Sequence, residues 1–276
     1  MREMTIGQFY STDSVIHRLD PRVKIMITFL YVISLFFIRN IYMYGIALVV
    51  LLLYIKISKV PISYIIKGTK AMAWIIAFTV ILQLFTVQGV ETVFEWGVLK
   101  ITETGVYSAI SLFLRLVMII IGSSMMTYTT TPNSLTDGLE KLLKWMNKLG
   151  VPVHELAMIM SIALRFIPVL VEELDRIMKA QMARGVDFKE GNVIERIKKM
   201  MPIIVPLFVS AIRRSNELAL AMDARCYHGG EGRTKMKPLE YKRNDYLAYV
   251  LVIIYLVMMI VLKNVLHAGF FDFNAD

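Results

Sequence analysis

The sequence predicts an all-α integral membrane protein with about five transmembrane helices and an inserted cytoplasmic domain of amphipathic helices. Three observations predict this class: the composition, the length of the uncharged segments and the placement of the basic residues. Of the 276 residues, 57% are hydrophobic and 19% are charged, whereas soluble domains have about 45–50% apolar and about 25% charged residues. These figures exclude a disordered chain. The single cysteine, Cys226, excludes a disulfide scaffold and a cysteine zinc cluster.

Five nearly uncharged segments are candidates to cross a bilayer, for which a helix needs roughly 20 apolar residues. They are Ile25–Ile38, Ile41–Ile55, Ala71–Gly89, Gly105–Ser134 (interrupted by Arg115) and Tyr246–Leu262. The first two are short and only two residues lie between them, so they form either one long tilted helix or a hairpin. Basic residues flank this pair on both sides. Since lysine and arginine stay in the cytoplasm, the pair must cross twice, which favours the hairpin.

The basic residues are distributed asymmetrically along these segments. With five crossings, all but four of the 31 lysines and arginines fall on the cytoplasmic side; the four exceptions are Arg39, Lys100, Arg115 and Lys263. This asymmetry predicts a multi-pass protein of a cell membrane, with its N-terminus in the cytoplasm and its C-terminus outside. No cleavable signal is expected, because the polar N-terminal residues lack an apolar core before the first span.

The cytoplasmic insert is too long for a passive loop, and it divides the chain into a membrane domain (1–128), an insert (129–244) and a last span with an outer tail (245–276). Apolar residues at helical spacing predict an amphipathic helix over Leu135–Leu149. A longer helix is predicted from Val153 to Arg184, where Gly185 ends it. A third helical region runs from Val193 to Tyr227. Prolines at positions 168, 202 and 206 are expected to bend the entries to these two long helices.

The two long helices end in similar tripeptides. Ala183-Arg184-Gly185 ends the first, and Ala224-Arg225-Cys226 ends the second. Small alanines leave a thin helix end that another surface can approach closely, and each arginine offers a planar fork suited to bidentate pairing with a carboxylate. The simpler interpretation is that a cation near a helix C-terminus interacts favourably with the helix dipole. Because the motif occurs twice, we favour docking to two similar sites on a partner.

These motifs resemble those of the T component, the transmembrane coupling subunit, of energy-coupling factor transporters, which are ATP-driven importers of vitamins and metals. The resemblance covers essentially the whole chain. It is carried by both arginine motifs and by the stretches Ile16–Lys24, Thr129–Pro132 and Leu164–Pro168. In that family each arginine docks into one of two ATPase subunits, so the resemblance assigns docking to Arg184 and Arg225. The second motif departs from the family pattern because Cys226 replaces glycine. The effect of this replacement on the local turn is left open, with Gly229 near enough to reverse the chain.

The resemblance implies a mechanical role. ATP closes the two ABC-type ATPase subunits, and the coupling helices transmit this movement to a small membrane subunit that binds the substrate and releases it inside, with vitamin uptake favoured over metal uptake. This chain would itself bind no cofactor, with ATP and magnesium held by the partners. The apolar stretch Leu156–Leu170 is either the contact for the substrate-binding subunit or the insert's own core.

Three further residues are candidates for a structural or partner-subunit contact: Arg115, Arg165 and Pro168. Arg115 lies about midway along the fourth span, where a charge costs at least about 2.5 kcal/mol. No acidic residue lies within any predicted span, so carbonyls, Gln83 or a polar partner surface must satisfy the guanidinium. We favour a structural contact.

Other classes of function fit the sequence less well. Glu172, Glu173 and Arg176 are similar to the motif of membrane-embedded CAAX-type proteases, but the spacing is one residue short and the downstream histidines are missing. Met158 occupies the second histidine position of a zinc-protease motif that His154 would begin. No P-loop is present, so ATP hydrolysis is expected in partner subunits. The permease of a conventional ABC transporter is the nearer alternative, although its coupling element is normally one short helix. The basic residues are explained by membrane topology, so no nucleic acid is expected as a partner.

Overall fold

The computed structural model describes residues 9–38, 40–87, 92–96, 99–188, 192–229, 236 and 238–268. Over these residues the chain forms eight α-helices, one short 3-10 helix and one β-hairpin. In chain order they are α1 (Pro21–Phe36), α2 (Ile41–Ser58), α3 (Ile62–Thr86), β1 (Thr92–Trp96), β2 (Leu99–Thr102), α4 (Glu103–Thr129), α5 (Pro132–Leu143), the 3-10 helix (Lys144–Leu149), α6 (Val153–Ala183), α7 (Val193–Asp223) and α8 (Arg243–Ala268). The predicted all-α membrane class is confirmed, and the antiparallel β1–β2 pair is a small addition between α3 and α4.

Among the described residues, four helices are long and apolar enough to cross a membrane: α2, α4, α6 and Arg243–Val265 of α8. A fifth candidate is α3, whose segments Ile62–Lys70 and Met72–Thr86 are bent by 64°. Two details differ from the sequence prediction. The first predicted span, α1, has only 16 residues, about 24 Å at 1.5 Å per residue. Helix α6, assigned to the insert, also qualifies, because its first half is apolar.

The first two helices form the antiparallel pair that the predicted hairpin requires, and the crossing of the membrane by both stays a prediction. Helix α1 ends at Phe36 and α2 begins at Ile41. The Tyr31 hydroxyl donates to the carbonyl oxygen of Ala47 at 3.4 Å. These residues lie at similar distances on either side of the break, so the chain turns back and the two helices run antiparallel.

The chain forms two compact units, Met1–Gly138 with Leu239–Asp276, and Leu139–Pro238. The boundaries predicted after residues 128 and 244 separate the membrane segments from the cytoplasmic insert. This division concerns the position of each segment relative to the membrane, and it stays a prediction. In the first unit, α4 packs against α1, α2 and α3, and α1 also packs against α8. Helix α4 approaches α1 closely at Gly122, where a Cβ atom would lie 2.9 Å from a ring carbon of Tyr31.

A buried polar network joins helix ends of the first unit. Asp20 is the N-cap of α1, its carboxylate accepting the backbone N–H of Arg22 at 2.9 Å, and Pro21 is the first helical residue. The carboxylate cap and the proline together define the start of α1. The Lys24 ammonium donates to the carbonyl oxygen of Thr129, at the end of α4, at 2.8 Å. Helix α5 begins directly afterwards, where the Thr131 hydroxyl accepts the backbone N–H of Ser134 at 3.3 Å.

Candidate functional site

In the second unit, α6 and α7 are both 31 residues long and pack against each other. Their contact surrounds a shallow, mainly apolar cavity of about 150 Å³. Its lining comprises Ile162, Phe166 and Leu170 of α6 with Ala211, Arg214, Ser215 and Leu218 of α7. Arg214 also lies 3.5 Å from the Glu173 carboxylate. The three prolines at positions 168, 202 and 206 lie inside these continuous helices, and Arg165 and Pro168 are exposed.

The first arginine motif closes α6 with a Schellman turn. Arg184 follows the last helical residue, and its N–H donates to the carbonyl oxygen of Gln181 at 3.1 Å. Gly185 has a φ of +88°, and its N–H donates to Met182 at 3.0 Å. The N–H of Val186 then reaches back to Gln181 at 3.1 Å. These two closing bonds define the Schellman motif, in which a left-handed residue satisfies the last carbonyl groups of the helix.

The second motif forms the same turn with a cysteine in the left-handed position. The N–H groups of Arg225 and Cys226 donate three residues back, at 3.0 and 2.9 Å, and the N–H of Tyr227 donates to Met222 at 3.1 Å. Cys226 itself has a φ of +54°. The turn of the second motif is therefore the same as that of the first. Cys226 takes the conformation of the glycine, and Gly229 is not the residue that turns the chain, although its φ is also positive.

The two turns present equivalent surfaces. Residues 183–185 and 224–226 are all exposed. Neither Arg184 nor Arg225 makes an ion pair with any residue that the structure describes. Each guanidinium therefore extends from a helix end flanked by alanine, with its donors available to a carboxylate.

Helix α7 has an exposed apolar face that was not predicted from the sequence. The predicted candidate for a partner contact was the stretch Leu156–Leu170 of α6. Helix α7 buries Ile203 and Ser210 on one side. Its other side exposes a stripe of five large apolar residues, here called the α7 stripe: Ile204, Val205, Phe208, Val209 and Ile212. The available signal was the run from Met201 to Ile212, which is apolar all round. Such a helix needs cover on both faces.

Arg115 lies apart from these motifs, within the first unit. Its Nε donates to the Tyr44 hydroxyl at 3.1 Å, and its terminal nitrogen lies 3.5 Å from the carbonyl oxygen of Ile38. The guanidinium also lies 5.9 Å from the Phe36 ring centroid. A carbonyl contact was among the expected partners, and the tyrosine hydroxyl was not anticipated. In the part of the chain that the structure describes, no three histidine, cysteine or acidic side chains come together as metal ligands would.

Several long apolar helices in one chain define a multi-pass membrane protein. Comparison with known proteins gives the family. A family model described as cobalt transport protein, CbiQ, matches residues 12–236. The chain is 47% identical over 266 residues to the energy-coupling factor transporter transmembrane protein EcfT of Clostridium kluyveri, covering 96% of this chain and 98% of the relative. It is 48% identical over 250 residues to EcfT of Thermosediminibacter oceani, covering 91% and 94% of the two chains. It is 44% identical over 263 residues to EcfT of Bacillus subtilis, covering 95% and 99%. The chain belongs to the CbiQ family, as a homologue of the transmembrane component EcfT of energy-coupling factor transporters.

Proposed function

We propose that this chain is the transmembrane scaffold that couples ATP hydrolysis by two ABC-type ATPase subunits to substrate release from a separate substrate-binding membrane subunit. The observation that carries the proposal is the repetition of one turn at the ends of α6 and α7. In each turn, the N–H of the arginine and the N–H of the next residue each donate to the carbonyl oxygen three residues earlier. The N–H of the residue after that donates to the carbonyl oxygen five residues earlier. The arginine is exposed and directly precedes the left-handed residue in both turns. Two equal docking elements suit two similar partner subunits, whereas a single helix cap would not need a matched copy.

The α7 stripe supports the second half of this proposal. Its five side chains are each about half exposed or more, and an apolar patch of this kind marks a protein or membrane contact. We assign it, together with the exposed apolar residues Leu156, Ile159 and Met160 of α6, to the substrate-binding subunit. ATP and magnesium belong to the ATPases in this scheme, and the chain itself is not an enzyme. The basic asymmetry supports an N-terminus in the cytoplasm and a C-terminus outside, and vitamins are the favoured substrates.

The decisive experiment is a detergent pull-down with the tagged chain from its native membranes, comparing wild type with the double variant Arg184→Glu/Arg225→Glu. Losing a desolvated charge contact costs about 2–5 kcal/mol, so each single variant should weaken ATPase recovery and the double variant should abolish it. The matched control is Arg176→Glu/Arg213→Glu, which reverses two exposed arginines within the same helices. This control should recover both ATPases.

Phe208→Asp, in the centre of the α7 stripe, provides the reciprocal test. It should recover the ATPases but lose the small membrane subunit, while the arginine variant loses the ATPases and keeps that subunit. Equal recovery of ATPases with Arg184→Glu/Arg225→Glu and wild type would reduce the motifs to helix caps. If wild type recovers ATPases but no separate substrate-binding subunit, the protein works as a conventional ABC permease.

A further inference from the structure

The corner between α2 and α3 carries a concentrated positive charge that the coupling proposal does not use. Four lysines lie within 15 positions, here called the basic corner: Lys56, Lys59, Lys67 and Lys70. All four are exposed, and none makes an ion pair with a residue that the structure describes. The sequence contains no acidic residue between Asn40 and Val90. Lys59 interacts electrostatically with the Asp13 carboxylate. Both oxygens of that carboxylate accept hydrogen bonds from Arg18, so its direct partner is Arg18 and not Lys59.

The first segment of α3 has the geometry of a helix that lies at a membrane surface. It is bent by 64° from the second segment, Met72–Thr86. If the second segment crosses the bilayer with the usual tilt of about 20°, the first is inclined to the membrane normal by roughly 44° to 84°, according to the direction of the bend. It therefore runs obliquely to the bilayer or along its surface, not straight across. Ile65 is buried, and the Tyr64 ring packs 5.2 Å from that of Tyr128. One side of the segment is therefore anchored to the core of the first unit.

The remaining faces of this segment are amphipathic. Ile62 and Ile66 are 63% and 61% exposed, and at 100° per residue they lie side by side on the helix. Lys70 and Lys67 continue this arc. An apolar strip next to a strip of lysines is typical of an amphipathic helix at a membrane surface. In such a helix the isoleucines lie among the acyl chains and the ammonium groups lie at the level of the headgroups. The end of α2 repeats the pattern, with exposed Ile57 between Lys56 and Lys59.

We propose that the basic corner binds the headgroups of anionic glycerophospholipids in the leaflet that it meets. Charge complementarity identifies the ligand: four ammonium groups that make no ion pair with a described residue, placed next to exposed isoleucines, fit phosphate groups whose acyl chains lie alongside. Lys59 adds a second observation. It has a φ of +58°, a conformation in which glycine or asparagine costs less, so its ammonium group is placed here at a conformational cost.

Trp74 provides a reporter for this proposal. It is 81% exposed and follows Lys70 by four residues, just beyond the bend of α3. The other two tryptophans, Trp96 and Trp145, are replaced by phenylalanine in the full-length chain, which is reconstituted in bilayers. Quenching of Trp74 is then titrated with acyl-brominated phosphatidylglycerol or phosphatidylcholine, at low and high salt.

A lysine near an anionic leaflet contributes about fivefold to binding. We therefore expect preferential quenching by the brominated phosphatidylglycerol, and a loss of about 25-fold in its relative affinity in Lys67→Gln/Lys70→Gln, with phosphatidylcholine quenching unchanged. Lys144→Gln/Lys148→Gln, which removes two lysines of the second unit, should keep the full preference. The proposal is overturned if the parent chain shows no preference, or if the preference survives substitution of all four lysines. It is also overturned if the purified complex with its partner chains shields Trp74 from both lipids, because a protein would then cover the corner.

Discussion

The buried carboxylate of Asp245 accepts the backbone N–H of Asp20 at 2.8 Å, although 225 positions separate the two residues in the chain. Its second oxygen accepts the N–H of Lys242 at 2.7 Å. Asp20 precedes α1 and Lys242 precedes α8, so one carboxylate satisfies an unpaired donor at the start of each helix. Lys24 then connects this region to the end of α4. The network thus connects the start of α1, the start of α8 and the end of α4, close to the start of α5.

Asp245→Ala should destabilise the first unit strongly. The substitution leaves two backbone N–H groups without their acceptor, and each unsatisfied buried donor costs about 1–3 kcal/mol. We expect a loss of about 2–5 kcal/mol, measured by denaturant or thermal unfolding in detergent. Asp13→Ala is the control, since the Asp13–Arg18 ion pair is highly exposed and such pairs contribute little to stability. Equal stability of Asp245→Ala and wild type would mean that the bond does not hold these helices together.

Local patterns in the sequence predicted the local features of this fold. The uncharged runs indicated the helices, and the basic flanks indicated the α1–α2 hairpin. Each of these signals lies within one turn or one span. The Asp245–Asp20 and Lys24–Thr129 bonds could not be predicted in this way, because they join distant residues through tertiary packing and leave no periodic pattern.

The arginine motifs show where sequence reasoning succeeds and where it fails. The positions of Arg184 and Arg225 at helix ends followed from the alanines before them and the break after them. The backbone of Cys226 did not follow, because residue propensity argues against a left-handed cysteine and only the surrounding hydrogen bonds impose it. The α7 stripe was missed for a different reason: a helix that is apolar all round does not reveal which face packs inside the chain.

Exchanging the residues at the two left-handed positions should have opposite effects. Cys226→Gly removes the strain of a side chain at positive φ, about 1–2 kcal/mol, and the greater freedom of glycine in the unfolded chain offsets part of this gain. We expect a net stabilisation of about 0.5–1 kcal/mol, and Gly185→Cys should destabilise by a similar amount. Hydrogen exchange at the closing N–H groups of Tyr227 and Val186 measures each turn separately. Faster exchange at Tyr227 in Cys226→Gly would contradict this account.

Tyr44→Phe should reveal whether Arg115 serves the chain's own structure. Tyr44 is buried and its hydroxyl accepts the Nε hydrogen bond of Arg115. A hydrogen bond to a charged group contributes about 1.5–3 kcal/mol, so we expect a loss of that size in unfolding free energy. Tyr42→Phe, an exposed neighbour on the same helix, should have no effect.

A double-mutant cycle with Arg115→Leu extends this test. If the two side chains act as a pair, the double variant should lose less stability than the sum of the two single variants, with a coupling free energy of at least about 1 kcal/mol. A coupling near zero would assign Arg115 to a partner surface instead.

His17 lies in the segment before α1 and makes two ring hydrogen bonds. Its Nε2 lies 3.0 Å from the carbonyl oxygen of Tyr10 and its Nδ1 lies 2.7 Å from the Ser14 hydroxyl. A carbonyl oxygen only accepts, so Nε2 carries the hydrogen and, in the neutral ring, Nδ1 accepts from Ser14. Burial lowers the pKa of His17 below its ordinary value of 6.5, because it disfavours the charged ring.

Acidification should therefore destabilise the protein through His17. The unfolded chain has the higher pKa, so it binds a proton first as the pH falls below about 6.5, and folding stability decreases until the pH lies below the folded-state pKa as well. We expect the unfolding temperature to fall between pH 7 and pH 5, and His17→Gln to reduce that dependence. His228→Gln, at an exposed position, should keep the wild-type profile. An unchanged slope in His17→Gln would assign the pH dependence to other groups.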